Sequence, residues 1–326
     1  MGAPCGPVLV VAEELDPATD LIVQALADRS IAVLRFDLTA FPQHLALSAE
    51  HGSDRPGWHG FLDAGSRMAR LEEVRAVYYA RPGLPRVSRQ IPDAYREWAG
   101  VQALVGVVQV LSSLPVQWMH HPDVHRAAAH KPAQLVAATG VGLTVPRTLV
   151  TNRVDEARRW ARSVGGPLVC KPLTGGALPQ TEGRPVMLPT RRIEAGDLDE
   201  GVDLTAHLFQ EWIPKACEVR LTVVGDVMFP VAIHAGSEEA TVDWRADYNA
   251  LEYEPTTIPG PVAEAVRRFM AHYRLAYGAF DFAVTPDGQW VFFECNPAGQ
   301  WQFIAAATNL PIAEAHADLL QGALTA

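Results

Sequence analysis

Near the C-terminal end, two runs of aromatic and β-branched residues flank Asp287-Gly288, one of the dipeptides that most favours a tight hairpin between strands. With Asp287 and Gly288 as the two turn residues, Pro286 faces Gln289. Counting back along both strands then sets Asp281 directly opposite Glu294. Cβ atoms so placed lie roughly 4.5–5.5 Å apart, where like charges destabilise a sheet. Asn296, two residues beyond Glu294, shares that face. Two carboxylates and an amide oxygen converging on one spot form a hard-oxygen site suited to Mg²⁺. A solvated hairpin edge would also carry charges, but the Phe and Val residues around these argue for burial. Asp281, Glu294 and Asn296 are therefore the expected metal ligands.

The N-terminal third follows another pattern. Residues 8–11 read as a buried strand, 17–28 as a helix with Leu21, Ile22, Ala25 and Leu26 at helical spacing, and 31–36 as a second strand. A βαβ opening implies a parallel α/β sheet. No GxGxxG follows the first strand, so a dinucleotide-binding reading has no support. Residues 58–62 and 76–79 read as further strands, and 81–90, rich in Pro, Gly and Arg, as a loop. Residues 93–114 read as a long helix with enough apolar positions to bury most of its surface, and 116–119 as the strand that closes the domain.

Beyond residue 120, positions 123–139 read as one helix with Asp123 as its N-cap. His120, His121, His125 and His130 invite a metal reading, but no acidic partner stands at ligand spacing, and a turn-and-helix surface accounts for them. Thr151 or Asn152 caps a helix running to Val164. Residues 167–172 form a buried strand that ends in Lys171, followed by Thr174-Gly175-Gly176. A lysine leaving an apolar strand beside a Gly-Gly loop suits a phosphate; a lysine snorkelling out ahead of a common turn fits the same residues. Residues 217–234 form a second hairpin about Gly225-Asp226, a Gly-first pair suited to a type II′ turn. Glu218, Arg220 and Thr222 share one of its faces, which is either solvent-facing or a polar ligand groove. Residues 261–273 and 310–324 read as helices.

A chain of 326 residues supports two or three domains, and 48% hydrophobic with 20% charged residues is ordinary for a globular protein. The net charge of −10 argues against a nucleic-acid-binding surface. No apolar run reaches membrane-spanning length and no basic segment precedes the first apolar run, so a cytoplasmic protein is expected. Cys5, Cys170, Cys217 and Cys295 lack CxxC spacing and read as reduced thiols.

Three signals thus stand in order: Lys171 with its Gly-Gly loop, the strand Gln210-Glu211-Trp212-Ile213 with Glu218, and the Asp281/Glu294/Asn296 hairpin. This order resembles the ATP-grasp ligases, and Glu294-Cys295-Asn296-Pro297 is similar to their Glu-x-Asn metal motif. The resemblance covers roughly residues 120–310. The His130-Lys131-Pro132-Ala133-Gln134-Leu135 helix, Val145-Pro146-Arg147-Thr148 and Asp243-Trp244-Arg245 resemble the peptide-macrocyclising branch, the graspetide (microviridin-type) synthetases. The resemblance implies an N-terminal α/β pre-ATP-grasp domain (1–120) and two α+β ATP-grasp subdomains (121–208 and 209–326) that clamp ATP. It also implies that Lys131, Lys171 and the loop Thr174-Gly175-Gly176 attend the phosphates, that Gln210, Glu211 and Ile213 surround adenine, and that Glu218 holds the ribose. Asp281, Glu294 and Asn296 would bind Mg²⁺, and Arg220 and Arg245 would orient a carboxylate or stabilise phosphoryl transfer. The implied activity joins Asp or Glu side chains of a ribosomal precursor peptide to Thr, Ser or Lys side chains, at the expense of ATP. The implied assembly is compatible with a homodimer. Asp243 and His234 are the candidate bases. A ligase that adds free amino acids to a protein or small acid, and a non-catalytic ATP-binding module, are the rival readings.

Overall fold

The computed structural model describes residues 6–174, 177–178, 186–187 and 190–322. Strand β1 (Val8–Ala12), helix α1 (Pro17–Asp28) and strand β2 (Val33–Phe36) open the chain. Strands β3 (Ala46–Gly52), β4 (Arg55–Asp63) and β5 (Met68–Arg70) follow as an antiparallel meander. Strand β6 (Ala76–Ala80), helix α2 (Asp93–Ser112) and strand β7 (Gln117–Met119) complete the N-terminal part. Its main sheet has the order β2-β1-β6-β7 with every neighbouring pair parallel, as the βαβ opening implies. Helix α1 starts where the Asp16 carboxylate accepts the N–H groups of Ala18 and Thr19, with Pro17 in the first turn.

The meander was legible only as the fragment 58–62. Strand β3 carries Glu50 and His51, and its inward residues Leu47 and Ala49 are only partly buried, so its apolar alternation is too short to betray it. Helix α2 is present but does not bury most of its surface: Val107 and Leu111 are buried, whereas Tyr95, Trp98, Val101 and Val105 are exposed. Apolar content counts residues without counting faces, and α2 packs on the sheet along one side only.

Helices α3 (Pro122–Ala128) and α4 (Lys131–Val141) replace the single helix expected over 123–139. Pro132 has no N–H to give the Ala128 carbonyl, and the Gln134 side chain donates to that carbonyl instead. His121, rather than Asp123, caps α3 by accepting the Asp123 N–H. Strand β8 (Thr148–Thr151), helix α5 (Val154–Val164), and strands β9 (Leu168–Lys171), β10 (Ala177–Leu178), β11 (Val186–Met187), β12 (Arg191–Ile193) and β13 (His207–Glu211) follow. An antiparallel sheet β12-β9-β13-β8 packs against α5, while β10 and β11 pair with each other.

Strand β14 (Cys217–Val224), strand β15 (Val227–Ala235), helix α6 (Glu238–Val242), strand β16 (Leu251–Pro255) and helix α7 (Gly260–Tyr273) lead to strands β17 (Tyr277–Val284) and β18 (Trp290–Asn296). Helices α8 (Gln302–Thr308) and α9 (Ile312–Gln321) end the fold. The five-stranded sheet β16-β15-β14-β17-β18 is antiparallel throughout. Gly225 has φ +54° and Asp226 has no positive φ, which is the type II′ pattern expected there. Helices α4 and α7 pack on Val219, Leu221, Phe280 and Phe292, so the opposite face of the sheet presents the polar residues of β14, β17 and β18. Helix α9 returns to α1 and the N-terminal sheet, which ties the two ends of the chain into one core with Tyr277 and Val231.

His120 is buried rather than on a surface. Its Nδ1 lies 2.5 Å from the Pro297 carbonyl, its ring meets Tyr78 and Tyr277 edge-on, and burial pushes its pKa down to about 3. Cys170, Cys217 and Cys295 are free thiols, and Cys5 lies outside the described residues.

Candidate functional site

Asp281 does face Glu294, but by a different route from the one the dipeptide suggests. The turn is three residues long, because Thr285 rather than Pro286 pairs with Gln289, and Gly288 closes it with φ +84°. That lengthening alone would have moved Glu294 out of register. A bulge at Phe293 restores it: Phe282 pairs with Phe292, and the next pair is Asp281 with Glu294. The extra residue turns its ring toward the groove, where Lys171 Nζ sits 4.3 Å from the ring centroid.

The like-charge conflict of the hairpin is resolved by cations from other elements. Arg220, next to Asp281 across β14–β17, donates Nη1 to the Asp281 carboxylate at 2.8 Å and Nη2 to the Gln300 carbonyl at 2.9 Å. Lys131, at the start of α4, lies 3.3 Å from Glu294, and Arg245 lies 3.8 Å from it. Burial pushes the Glu294 pKa up, but Lys131, Arg245 and Lys171 together hold it below the ordinary glutamate value. Asn296 donates to Glu294 at 3.4 Å, as the shared face requires. Burial brings Lys171 down to about 8, against the pull of Glu294 and Glu218.

One cavity of about 900 Å³ gathers most of the expected residues. Lys131 and Lys171 border it from α4 and β9, Gln210, Glu211 and Ile213 from β13 and its exit, and Glu218 from β14. Asp281, Glu294 and Asn296 close the far side with Arg245. Gln210 donates to Thr148 at 3.0 Å and the Glu211 carboxylate accepts the Arg147 N–H at 2.7 Å, so both side chains serve the β13–β8 edge. Thr174 is exposed and outside this lining, and Gly175 and Gly176 lie outside the described residues. The face of Glu218, Arg220 and Thr222 is buried and not a solvent face; of the three, Glu218 borders the cavity, and Arg220 and Thr222 lie behind it.

The candidate bases separate. His234 is half exposed, pairs with Glu254 and does not border the cavity. Asp243 is buried and accepts the Thr190 N–H, the Arg245 N–H and two bonds from the Arg245 guanidinium; burial pushes its pKa up, but these donors outweigh it and hold it below the ordinary value. A carboxylate so committed is a weak base.

Lys215, Phe293, Gln134 and Arg81 border the cavity too, though nothing in the sequence marks them as a set. Lys215 follows a proline in a loop and reads as solvated, yet only 6% of its side chain is exposed. It contacts the Glu218 carboxylate and lies over the rings of Trp212 (5.5 Å) and Phe293 (5.9 Å). Burial raises the Glu218 pKa, while Lys215 works in the opposite direction. Gln134 reaches across to β18, donating to the Cys295 carbonyl at 2.7 Å and accepting the Cys295 N–H at 2.8 Å. Among the described residues no group of three His, Cys, Asp or Glu side chains is placed to hold a metal. The hard-oxygen set is therefore two carboxylates and one amide, whose remaining positions fit phosphate oxygens and water.

Residues 7–126 match the family described as the MvdD pre-ATP grasp domain. No curated protein matches the sequence significantly. Among the solved structures alike over almost the whole chain are the following three. A RiPP-associated ATP-grasp ligase from Chryseobacterium gregarium, in complex with ADP and a leader and core peptide, is 26% identical with TM-score 0.88, covering 97% of this chain and 96% of its own. The macrocyclase MdnC from Microcystis aeruginosa MRC, bound with precursor peptide MdnA, is 26% identical with TM-score 0.85, covering 97% and 99%. The macrocyclase MdnB from the same source is 29% identical with TM-score 0.77, covering 97% and 99%. Fold and site together define an ATP-grasp ligase. Its N-terminal part is of the MvdD pre-ATP-grasp type, and these likenesses point to the graspetide branch within the class.

Proposed function

We propose that this chain is an ATP-dependent peptide macrocyclase that joins Asp or Glu side chains of a ribosomal precursor peptide to Thr, Ser or Lys side chains, releasing ADP and phosphate. The observation that carries the reading is the single cavity in which Lys131 and Lys171 meet Asp281, Glu294 and Asn296. Solved relatives with this fold hold ADP or precursor peptides. In this reading residues 1–120 form the pre-ATP-grasp domain, and 121–208 and 209–326 are the halves that close on ATP. No described helix is long and apolar enough to cross a membrane, which fits a cytoplasmic enzyme.

A carboxylate is a poor electrophile, because oxide is a very poor leaving group. One of its oxygens attacks the γ-phosphorus; the bond to the β–γ bridging oxygen breaks with its electron pair, and ADP departs. The hydroxyl or amine of a second side chain then attacks the acyl phosphate carbon, loses its proton to solvent or phosphate, and phosphate leaves. The protein's share is alignment and charge neutralisation. Lys131 and Lys171 hold the phosphates. Gln210, Glu211 and Ile213 frame the base, and Glu218, paired with Lys215, takes the ribose hydroxyls. Asp281, Glu294 and Asn296 would hold Mg²⁺, which when bound neutralises charge on the phosphate oxygens. Arg220 keeps the Asp281 carboxylate in place, and Arg245 stabilises the transferring phosphoryl group.

The test is the intact mass of the peptide encoded beside this gene after incubation with the protein, ATP and Mg²⁺. Loss of one or more waters that depends on ATP is the expected result. A mass gain equal to an added amino acid would replace this reading with a tail-extending ligase.

A further inference from the structure

Arg81 directly follows β6, at the carboxyl end of the parallel sheet. The chain leaves β1 for β2 on one side and later returns to β6 on the other, so the crevice between β1 and β6 is the switch point where open parallel sheets receive ligands. The backbone of Arg81 has φ +44°, uncommon for a residue with a Cβ, so its surroundings fix it there. Asp16 stands 3.7 Å from Nη2, beyond hydrogen-bond range. In the amide orientation that satisfies both groups, the side-chain oxygen of Gln300 accepts from both terminal nitrogens of Arg81. The main-chain carbonyl of that same Gln300 accepts from Arg220, which in turn holds Asp281. A short chain of contacts therefore fixes the Arg81 guanidinium relative to the metal-ligand carboxylate.

The other cations of the cavity are engaged by carboxylates, a carbonyl or a ring of the site, whereas Arg81 is held by the neutral Gln300 amide, with Asp16 3.7 Å away. Arg245 is doubly bonded to Asp243, Lys131 serves Glu294 and the Pro172 carbonyl, Lys215 serves Glu218, and Lys171 lies over Phe293. Arg81 borders the same cavity with 49% of its side chain exposed. Arg220, Lys131 and Arg245 already serve Asp281 and Glu294, so a substrate carboxylate arriving beside them needs a further cation on its open side. A guanidinium supplies a fork that matches a carboxylate in a way that an ammonium does not.

We propose that Arg81 is a specificity-determining residue that binds the side-chain carboxylate of the peptide Asp or Glu awaiting phosphoryl transfer. The N-terminal domain thereby completes the acceptor site. The proposal rests on the macrocyclase reading above. In the step it serves, the carboxylate oxygen–phosphorus bond forms, the bridging oxygen–phosphorus bond breaks toward ADP, and no proton moves.

The test is a binding cycle on the full-length protein with Mg²⁺ and a non-hydrolysable ATP analogue. Wild type, Arg81→Ala and Arg81→Lys are each titrated with a core-segment peptide carrying the reacting carboxylate and with its amide counterpart. Arg81→Ala should weaken the carboxylate peptide about 10- to 100-fold, Arg81→Lys should recover part of that, and all three proteins should bind the amide peptide alike. An equal loss with the amide peptide would overturn the assignment, as would weaker binding of the analogue by Arg81→Ala without peptide, which would place Arg81 on the phosphates. Should Arg81→Ala not fold, Arg81→Lys decides by the same comparison. Water loss from the whole precursor with wild-type protein is measured in parallel: its absence overturns the macrocyclase reading and this one with it, whereas its presence without carboxylate-dependent loss overturns Arg81 alone.

Discussion

Lys171 and Phe293 meet with the ammonium 4.3 Å from the ring centroid, and Phe293 is the residue by which β18 outruns β17. One irregularity thus does two things. It returns Glu294 to its place opposite Asp281, and it turns an aromatic face to a half-buried lysine that no described carboxylate pairs with directly.

Deleting Phe293 should be no worse than removing its ring. With the bulged residue gone, Glu294 follows Phe292 directly and stays opposite Asp281, on the same face. Turnover should fall about 3- to 30-fold in the deletion and in Phe293→Leu alike, because both lose the aromatic face beside Lys171. Intact-mass assays of peptide dehydration measure both. A deletion without detectable turnover would contradict this reading of the register.

Lys171→Met should make the ligand-free protein more stable while removing turnover. Burial lowers the Lys171 pKa from 10.5 to about 8, so the folded state releases its proton before the unfolded chain does. Its charge therefore destabilises the fold fully below pH 8, and the penalty fades as pH rises from 8 to 10.5. A gain of about 1–3 kcal/mol at pH 7, shrinking across that window, is expected by chemical denaturation. Weaker ATP binding by calorimetry should accompany it.

Glu294→Gln should abolish turnover and also lower stability, by about 1–3 kcal/mol. The hairpin viewed alone suggests the opposite, since it sets two carboxylates face to face. The glutamate pKa is nevertheless depressed, so its neighbours favour the charge. That stability is present above about pH 4.5 and is lost as pH falls through the lower folded value. Wild type and variant should therefore converge in acid unfolding.

Gln134→Leu leaves the N–H and carbonyl of Cys295 without their side-chain partner. The residues flanking Cys295 are Glu294 and Asn296. A stability loss of about 2–4 kcal/mol is expected, together with a higher Mg²⁺ requirement for half-maximal dehydration. An unchanged Mg²⁺ requirement would reduce Gln134 to a purely structural bond.

His120 and His316 are buried and neutral, with burial lowering their pKa values to about 3 and about 4. The unfolded chain binds protons below about pH 6.5 that the folded protein refuses, so stability falls from there toward pH 4. His316→Phe, which keeps a ring beside Trp301, should flatten that slope by about 1 kcal/mol per pH unit in urea titrations.

Much of the site could be read from the residues because its signals are local. A strand pattern of period two places Glu218 with Arg220 and Glu294 with Asn296 on shared faces wherever the strands go. A Gly-first turn at Gly225 and a Gly-closed turn at Gly288 announce hairpins through backbone sterics. Lys215, Gln134 and Arg81 gave no such signal. Each stands in a loop or a short helix, and its importance comes from what other segments bring to it: Glu218 beside Lys215, the Cys295 peptide against Gln134, Gln300 under Arg81.

Chain chemistry alone determines that Asp281, Glu294 and Asn296 can form a hard-oxygen set, since alternation and the hairpin are properties of neighbouring residues. Folding decides that the set is charge-compensated and sheltered. The cations that settle it, Lys131, Arg220 and Arg245, come from positions 49 to 163 residues before Glu294, and no local pattern encodes which of them arrive. The compensating bulge shows the same division: the longer turn displaces the register, and the packing of Phe293 against Lys171 accompanies its return.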